Sequence, residues 1–400
     1  MTSGKAVSPS HSRAVASALS KATPGSLARA IPSSLARAVP SSLARAVPSK
    51  KQVGIAGAVV GVAAAGLATA FAVERLLVRR SVQAPGDPYV DEEFGDQPFD
   101  SERTVTAADG TELHVEIVEP REVTDETKPT IVFVHGFALD MGTFYFQRQV
   151  LTERGDHRLV FYDQPGHGRS SRLKSGQYDI AALGKSLAAV LDATVPDGHI
   201  ILVGHSMGGM TIMAFAEQYP EWFGKRVTGV VLMSTSAGLI DKTKLGLPSL
   251  VARASAPFFP LWSGAARLGG GTIDRARVVS SDLAWLLTRR YGFGETKPSP
   301  SLVTFVEEMN SRTSVETLTK YLHTLYTHNR FPALSVLKGV PVLVLVGTKD
   351  YLTPVTHSEE IARHLPDAEL IKIDNSGHVV MLEKADEVNA ALLPFLDKIS

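Results

Sequence analysis

The sequence predicts an α/β fold whose mostly parallel sheet is covered on both faces. Three observations carry this. Short apolar runs such as TIVFV (130–134), HIILVG (199–204) and VPVLVLVG (340–347) read as buried strands, with helically spaced stretches between them. A hairpin pattern precedes the first run. A long aromatic and turn-rich segment interrupts the alternation late in the chain, as an inserted helical cap would.

Taken in order, residues 103–107 and 112–118 alternate polar and apolar and are joined through Asp109-Gly110, a hairpin turn pair. TIVFV follows, then a helical stretch near 142–154 and the strand run HRLVFYD (157–163). Apolar positions at helical spacing over 179–194 lead to HIILVG, a helix over 209–219 and the strand VTGVVLMS (227–234). After VPVLVLVG come ELIKI (369–373) and a closing helix near 385–398.

Between 227–234 and 340–347 lie about 105 residues without an obvious buried strand, too many for a plain crossover. They hold aromatics (Phe258, Phe259, Trp262, Trp285, Tyr291) and helical patterns near 280–290, 300–310 and 314–328. Gly269-Gly270-Gly271 has no following Lys-Ser/Thr and reads as a flexible joint, not a phosphate cradle.

The first hundred residues are of another kind. GSLARAIP, SSLARAVP and SSLARAVP repeat every eight residues over 25–48, with proline closing each unit. Units this short cannot build a core, so residues 1–52 are expected to be a disordered basic tail. VGIAGAVVGVAAAGLATAFAV (53–73) has 21 residues and no charge, the length of a single membrane span. A cleaved signal and an organelle transit sequence are the alternatives. The excess of Lys and Arg before this segment favours the tail inside and the C-terminal domain on the extracytoplasmic side.

The expected organisation is a tail (1–52), a transmembrane anchor (53–73), a linker (74–100), a catalytic core in two parts (101–235 and 339–400) and a helical cap between them (236–338).

Composition excludes several classes. Lys plus Arg and Asp plus Glu each number 41, which argues against a nucleic-acid partner held by an overall basic field. The balance is uneven: residues 1–73 carry eight basic and no acidic side chains, so the remainder is net −8. The absence of cysteine removes disulfides, thiolate metal sites and a Cys nucleophile.

Gly204-His205-Ser206-Met207-Gly208 is a G-x-S-x-G pattern between a buried strand and a helix. Ser206 is the candidate nucleophile, and Gly204 and Gly208 leave room for the tight turn that lifts its hydroxyl. A serine needs a base, and His378 lies in the loop after the last strand, where the other eleven histidines fit worse. Asp350, after VPVLVLVG, is the candidate orienting carboxylate, with Asp163 as a weaker rival. The loop His135-Gly136-Phe137 after TIVFV can aim the Phe137 N–H at a developing oxyanion, with Met207 N–H as second donor. His135 is read as a brace, and Arg169 likewise.

HGF (135–137), DQPGHGRSS (163–171), GHSMGG (204–209), GTKD (347–350) and SGH (376–378) occur in an order and spacing that resemble the α/β-hydrolase superfamily, in its capped esterase and lipase branch. The resemblance spans about residues 101–400. It implies Ser206 as nucleophile, His378 as base and Asp350 as orienter, in agreement with the residue reading. Epoxide hydrolases and haloalkane dehalogenases of this fold carry aspartate at the elbow, so Ser206 argues against both. Phe137-Ala138-Leu139-Asp140 departs from the Ser-Gly/Gly-Pro-Gly stretch of ring-cleavage C–C hydrolases.

The expected activity is hydrolysis of a carboxylic ester with an apolar acyl group, a small molecule or lipid, without metal or cofactor. Thioesterase, amidase, C–C hydrolase and cofactor-free haloperoxidase activities, and a non-catalytic binder, stay open as alternatives.

Overall fold

In the computed structural model, residues 86–95, 97–121, 128–238 and 284–400 are described. The repeat tail, the 53–73 segment, the triple glycine and Phe258, Phe259 and Trp262 lie outside the described residues. Among the described residues no helix is long and apolar enough to cross a membrane.

Eight strands form one sheet. They are β1 (Ser101–Thr106), β2 (Glu112–Val118), β3 (Thr130–Val134), β4 (Leu159–Tyr162), β5 (Ile200–His205), β6 (Val227–Met233), β7 (Val342–Gly347) and β8 (Glu369–Ile373). Their spatial order is β1-β2-β4-β3-β5-β6-β7-β8. The β1–β2 hairpin is antiparallel, and β2 also runs antiparallel to β4. From β4 to β8 every pairing is parallel.

The inner strands β3 to β7 are almost wholly apolar because both faces are covered. Successive side chains point to opposite faces. Val132, Leu202, Val230 and Val344 therefore enter one core, while Phe133, Val203, Val231 and Leu345 enter the other. The first face is covered by α2 (Ile180–Thr194) through Leu187, Val190 and Leu191, and by α3 (Met207–Gln218) through Ile212 and Phe215. Leu151 of α1 (Tyr145–Arg154) and Val388, Leu392 and Phe395 of the last helix (Ala385–Ile399) cover the second. Each such side chain contributes about 1.5–3 kcal/mol on burial. Asp179 caps α2 by accepting from Ala182 N, and Gly155 ends α1 in the left-handed region.

The excursion between β6 and β7 contains a helical stretch over 284–292 and then α4 (Pro300–Arg312), α5 (Val315–Thr327) and α6 (Ala333–Leu337). Tyr321 and Leu325 of α5 pack on the cluster formed by Met207 and Met210 of α3. These helices thus stand beside the strand ends that carry the candidate site.

Residues 86–95 and 97–100, placed by the sequence in a linker, lie against the domain. Tyr89 and Phe94 pack on the second core, and Phe94 stacks on Phe305 of α4 at 4.6 Å.

Candidate active site

Ser206, His378 and Asp350 are far apart in the chain and meet because β5, β7 and β8 run parallel. Their following loops leave the sheet at the same edge. Ser206 is the residue after β5, with φ 52° and ψ −116°. Such a conformation costs a non-glycine residue about 1–3 kcal/mol and persists only where its surroundings enforce it. They do so here. The Ser206 N–H donates to Met233 O, and Thr235 Oγ1 donates to Ser206 O. A Cβ on Gly208 would stand 1.9 Å from the Val134 carbonyl oxygen, so the turn passes β3 too closely for any side chain.

The Ser206 hydroxyl does not cap its own helix. It lies 2.9 Å from His378 Nε2, and His378 Nδ1 lies 2.9 Å from Asp350 Oδ2. Asp350 Oδ1 accepts from the N–H groups of Leu352 and Thr353, and its Oδ2 from Thr353 Oγ1. With that acceptor capacity directed at it, His378 carries its proton on Nδ1 and presents Nε2 to the serine as an acceptor. The Asp350 side chain is fully buried, while Ser206 retains 8% exposure. The carboxylate is thus shielded from water and the hydroxyl remains reachable.

Two further histidines pack behind this chain. His205 Nε2 donates to the backbone oxygen of His378 at 3.0 Å, and its Nδ1 has no hydrogen-bond partner among the described residues. Burial first, and the neighbouring His378 second, hold His205 well below the usual imidazole range. His135 accepts from Gln164 N through Nε2 and donates from Nδ1 to Gly136 O. Gln164 in turn donates to His135 O and accepts from Thr211 Oγ1 on α3. The His135-Gly136-Phe137 loop is therefore tied to the first turns of the helix that Ser206 opens. Gly136 sits against His205: a Cβ there would be 2.7 Å from His205 Nδ1. Met207 begins α3, so its N–H is among those at a helix start without an intrahelical acceptor.

The loop of His378 is held as firmly. Glu383 accepts from Gly377 N at 2.6 Å and from Gly294 N and Glu295 N beyond the 284–292 stretch. Burial raises the Glu383 carboxyl despite these donors.

Ser206, His378 and Asp350 form one hydrogen-bonded chain, with Gly204, Gly208, His135 and Gly136 packed around it. Asp163, the rival carboxylate, faces elsewhere and accepts from Met141 N and Arg169 N. Arg169 pairs with Glu102 at 3.0 Å. Thr353, Gln164, Thr211 and Glu383 were not singled out by the sequence. Thr353 alone had a local signal, as the hydroxyl three residues after an aspartate in a turn. Among the described residues no group of three or more His, Asp or Glu side chains could hold a metal ion.

A family model described as the alpha/beta hydrolase fold matches residues 129–385. The dihydrolipoyllysine-residue acetyltransferase component of an acetoin cleaving system from Pseudomonas putida is 29% identical over 288 residues. That alignment covers 69% of this chain and 66% of the relative, just under two thirds of its length. A Mus musculus protein, sn-1-specific diacylglycerol lipase ABHD11, is 27% identical over 277 residues, covering 68% of this chain and 82% of the relative. Among solved structures, a thermophilic esterase from Thermogutta terrifontis superposes with a TM-score of 0.57 at 24% identity, covering 75% of this chain and 99% of the esterase.

Proposed function

This chain belongs to the alpha/beta hydrolase fold family, and from that premise we propose that it is a membrane-anchored serine hydrolase of carboxylic esters. The observation that carries the reading is the Ser206–His378–Asp350 chain, with both links at 2.9 Å and the serine in a strained turn.

Ser206 Oγ attacks the ester carbonyl carbon while His378 Nε2 takes its proton. The oxygen that gains charge accepts the N–H groups of Phe137 and Met207. The intermediate collapses to an acyl-serine, and the leaving alcohol takes the proton back from His378. A water then gives its proton to His378 and attacks the acyl carbon, and breakdown frees the acid and restores Ser206. Asp350 holds the imidazole tautomer and balances its charge during both steps.

An apolar acyl chain, such as that of a lipid ester, is the substrate class. The helices α4 and α5 serve as a cap beside the site, and residues 53–73 serve as a single-pass anchor with the hydrolase domain on the extracytoplasmic side. Support for the cap and the substrate class comes from the apolar packing of α5 over α3 and from proteins named as an esterase and a diacylglycerol lipase; the anchor rests on the uncharged 21-residue run alone.

The test is Ser206→Ala in the full chain. Turnover of p-nitrophenyl esters should fall by about 10⁴-fold or more, and labelling by a fluorophosphonate probe should vanish; retained turnover removes the assignment. Full-length protein should stay with membranes through a carbonate wash, and release into the supernatant removes the anchor.

A further inference from the structure

The residues that precede the sheet are bonded into the helix that stands over it. Asp87 Oδ1 accepts from Ser299 Oγ at 2.6 Å, and Asp87 Oδ2 accepts from Ser301 N at 2.9 Å and Ser301 Oγ at 2.7 Å. Ser299 is itself the N-cap of α4, accepting from Leu302 N. One carboxylate therefore takes an open N–H of the first turn and orients the hydroxyl that caps another. That end of a helix favours negative charge. Partial burial opposes ionisation, yet these hydrogen bonds leave the Asp87 carboxyl below its usual range.

A second attachment lies one turn further along α4. Phe94 stacks on Phe305 at 4.6 Å and 15°, and meets Tyr145 edge-on at 4.9 Å. Gln97 Nε2 donates to Tyr145 O, and Arg148 donates to Pro98 O. Residues 86–95 and 97–100 thus link α4 to α1 as a strap.

The far end of α4 reaches the loop after β3. Arg312, its last residue, lies 3.1 Å from Asp140. Asp140 and Met141 end the loop that begins with His135-Gly136-Phe137, and Met141 N is held by Asp163. Behind this loop is a cavity of about 850 Å³ whose wall includes Phe94, Phe305, Met141, Asp140 and Arg312. Strap, α4 and the end of the loop therefore bound one space.

We propose that Asp87 and Phe94 are positioning residues for the substrate site: they set the seat of α4, and α4 through Arg312–Asp140 sets the loop that carries the Phe137 N–H. The strap is then a working part of the cap, and acyl-chain preference depends on residues that precede the first strand. This rests on the hydrolase reading above.

The experiment uses the full chain with Asp87→Ala, Asp87→Asn and Phe94→Ala. Amide exchange over residues 301–304 should quicken about tenfold in Asp87→Ala and return close to the parent rate in Asp87→Asn, whose amide oxygen still accepts. KM for a decanoyl p-nitrophenyl ester should rise about tenfold relative to the acetyl ester, and kcat should fall for both esters as the Phe137 N–H is displaced. Phe94→Ala should give the same acyl-chain shift, which keeps the test decisive where Asp87→Ala does not fold. Unchanged exchange at 301–304 overturns the proposal. So does a loss equal at every chain length that merely follows the melting temperature. Loss of fluorophosphonate labelling in the parent protein would defeat the hydrolase reading instead, and the exchange measurement would still decide whether Asp87 seats α4.

Discussion

His205 Nε2 donates to the backbone oxygen of His378 at 3.0 Å, so the residue before the candidate nucleophile holds the main chain of the candidate base. The two partners of one proton transfer are thereby referenced to each other through the backbone as well as through Ser206 Oγ. Replacing His205 by Ala removes one hydrogen bond between neutral groups. kcat for an acetyl ester should fall about tenfold with little change in KM. Steady-state kinetics on the full chain checks this, and an unchanged kcat would mean that packing alone holds His378.

Gly136→Ala should be more damaging. Its Cβ would meet His205 Nδ1 at 2.7 Å and the Ser206 Cβ at 3.2 Å, so the loop must shift. A displacement of this order costs about 10² in kcat. Adding His205→Ala should relieve part of the loss, because the clash is with the imidazole. Strict additivity in the double-mutant cycle would place the fault elsewhere.

Thr353→Val deletes the hydroxyl that donates to Asp350 Oδ2 and keeps the shape of the side chain. The carboxylate retains two backbone donors and His378. A decrease of about tenfold in kcat is expected, with Ser206 still labelled by a fluorophosphonate at a slower rate. Labelling at the parent rate would remove Thr353 from the positioning of Asp350.

Asp163 governs a pH effect on stability. Burial, and then the Asp140 carboxylate, push its carboxyl up from 3.8 to about 7. The folded state thus holds a proton that the unfolded chain releases at lower pH. The resulting stabilisation is complete below about pH 4 and is lost as pH rises through about 7. The melting temperature of the parent minus that of Asp163→Asn should therefore be larger at pH 5 than at pH 8. A difference independent of pH, measured by calorimetry, would show that Asp163 stays ionised in the fold.

The strands and the three candidate catalytic residues were legible because local pattern specifies them. An apolar run of five or six residues bounded by turn residues has few other fates in a chain of alternating helices. A serine between glycines at a strand–helix junction is nearly as restrictive. The bracing groups were not legible. Gln164 joins His135 to Thr211 through a fold-dependent contact, and nothing near residue 164 announces it. The strap is the clearest case. Its acidic, proline-containing sequence resembles a spacer, and only the meeting of Phe94 with Phe305 and of Asp87 with Ser299 reveals otherwise.

β6 and β7 lie side by side, with Val230 opposite Val342 and Met233 opposite Leu345, although α4, α5 and α6 intervene in the chain. The whole excursion leaves the sheet and returns to it at adjacent positions. Closing a loop twice as long costs only about 0.6 kcal/mol more. The sheet is accordingly almost indifferent to the length and content of what it exports there. The excursion can therefore change in length and content without shifting the β6–β7 register, and what such a change must preserve is narrow: the Gly294 and Glu295 N–H groups that hold Glu383, and through Glu383 the loop of His378.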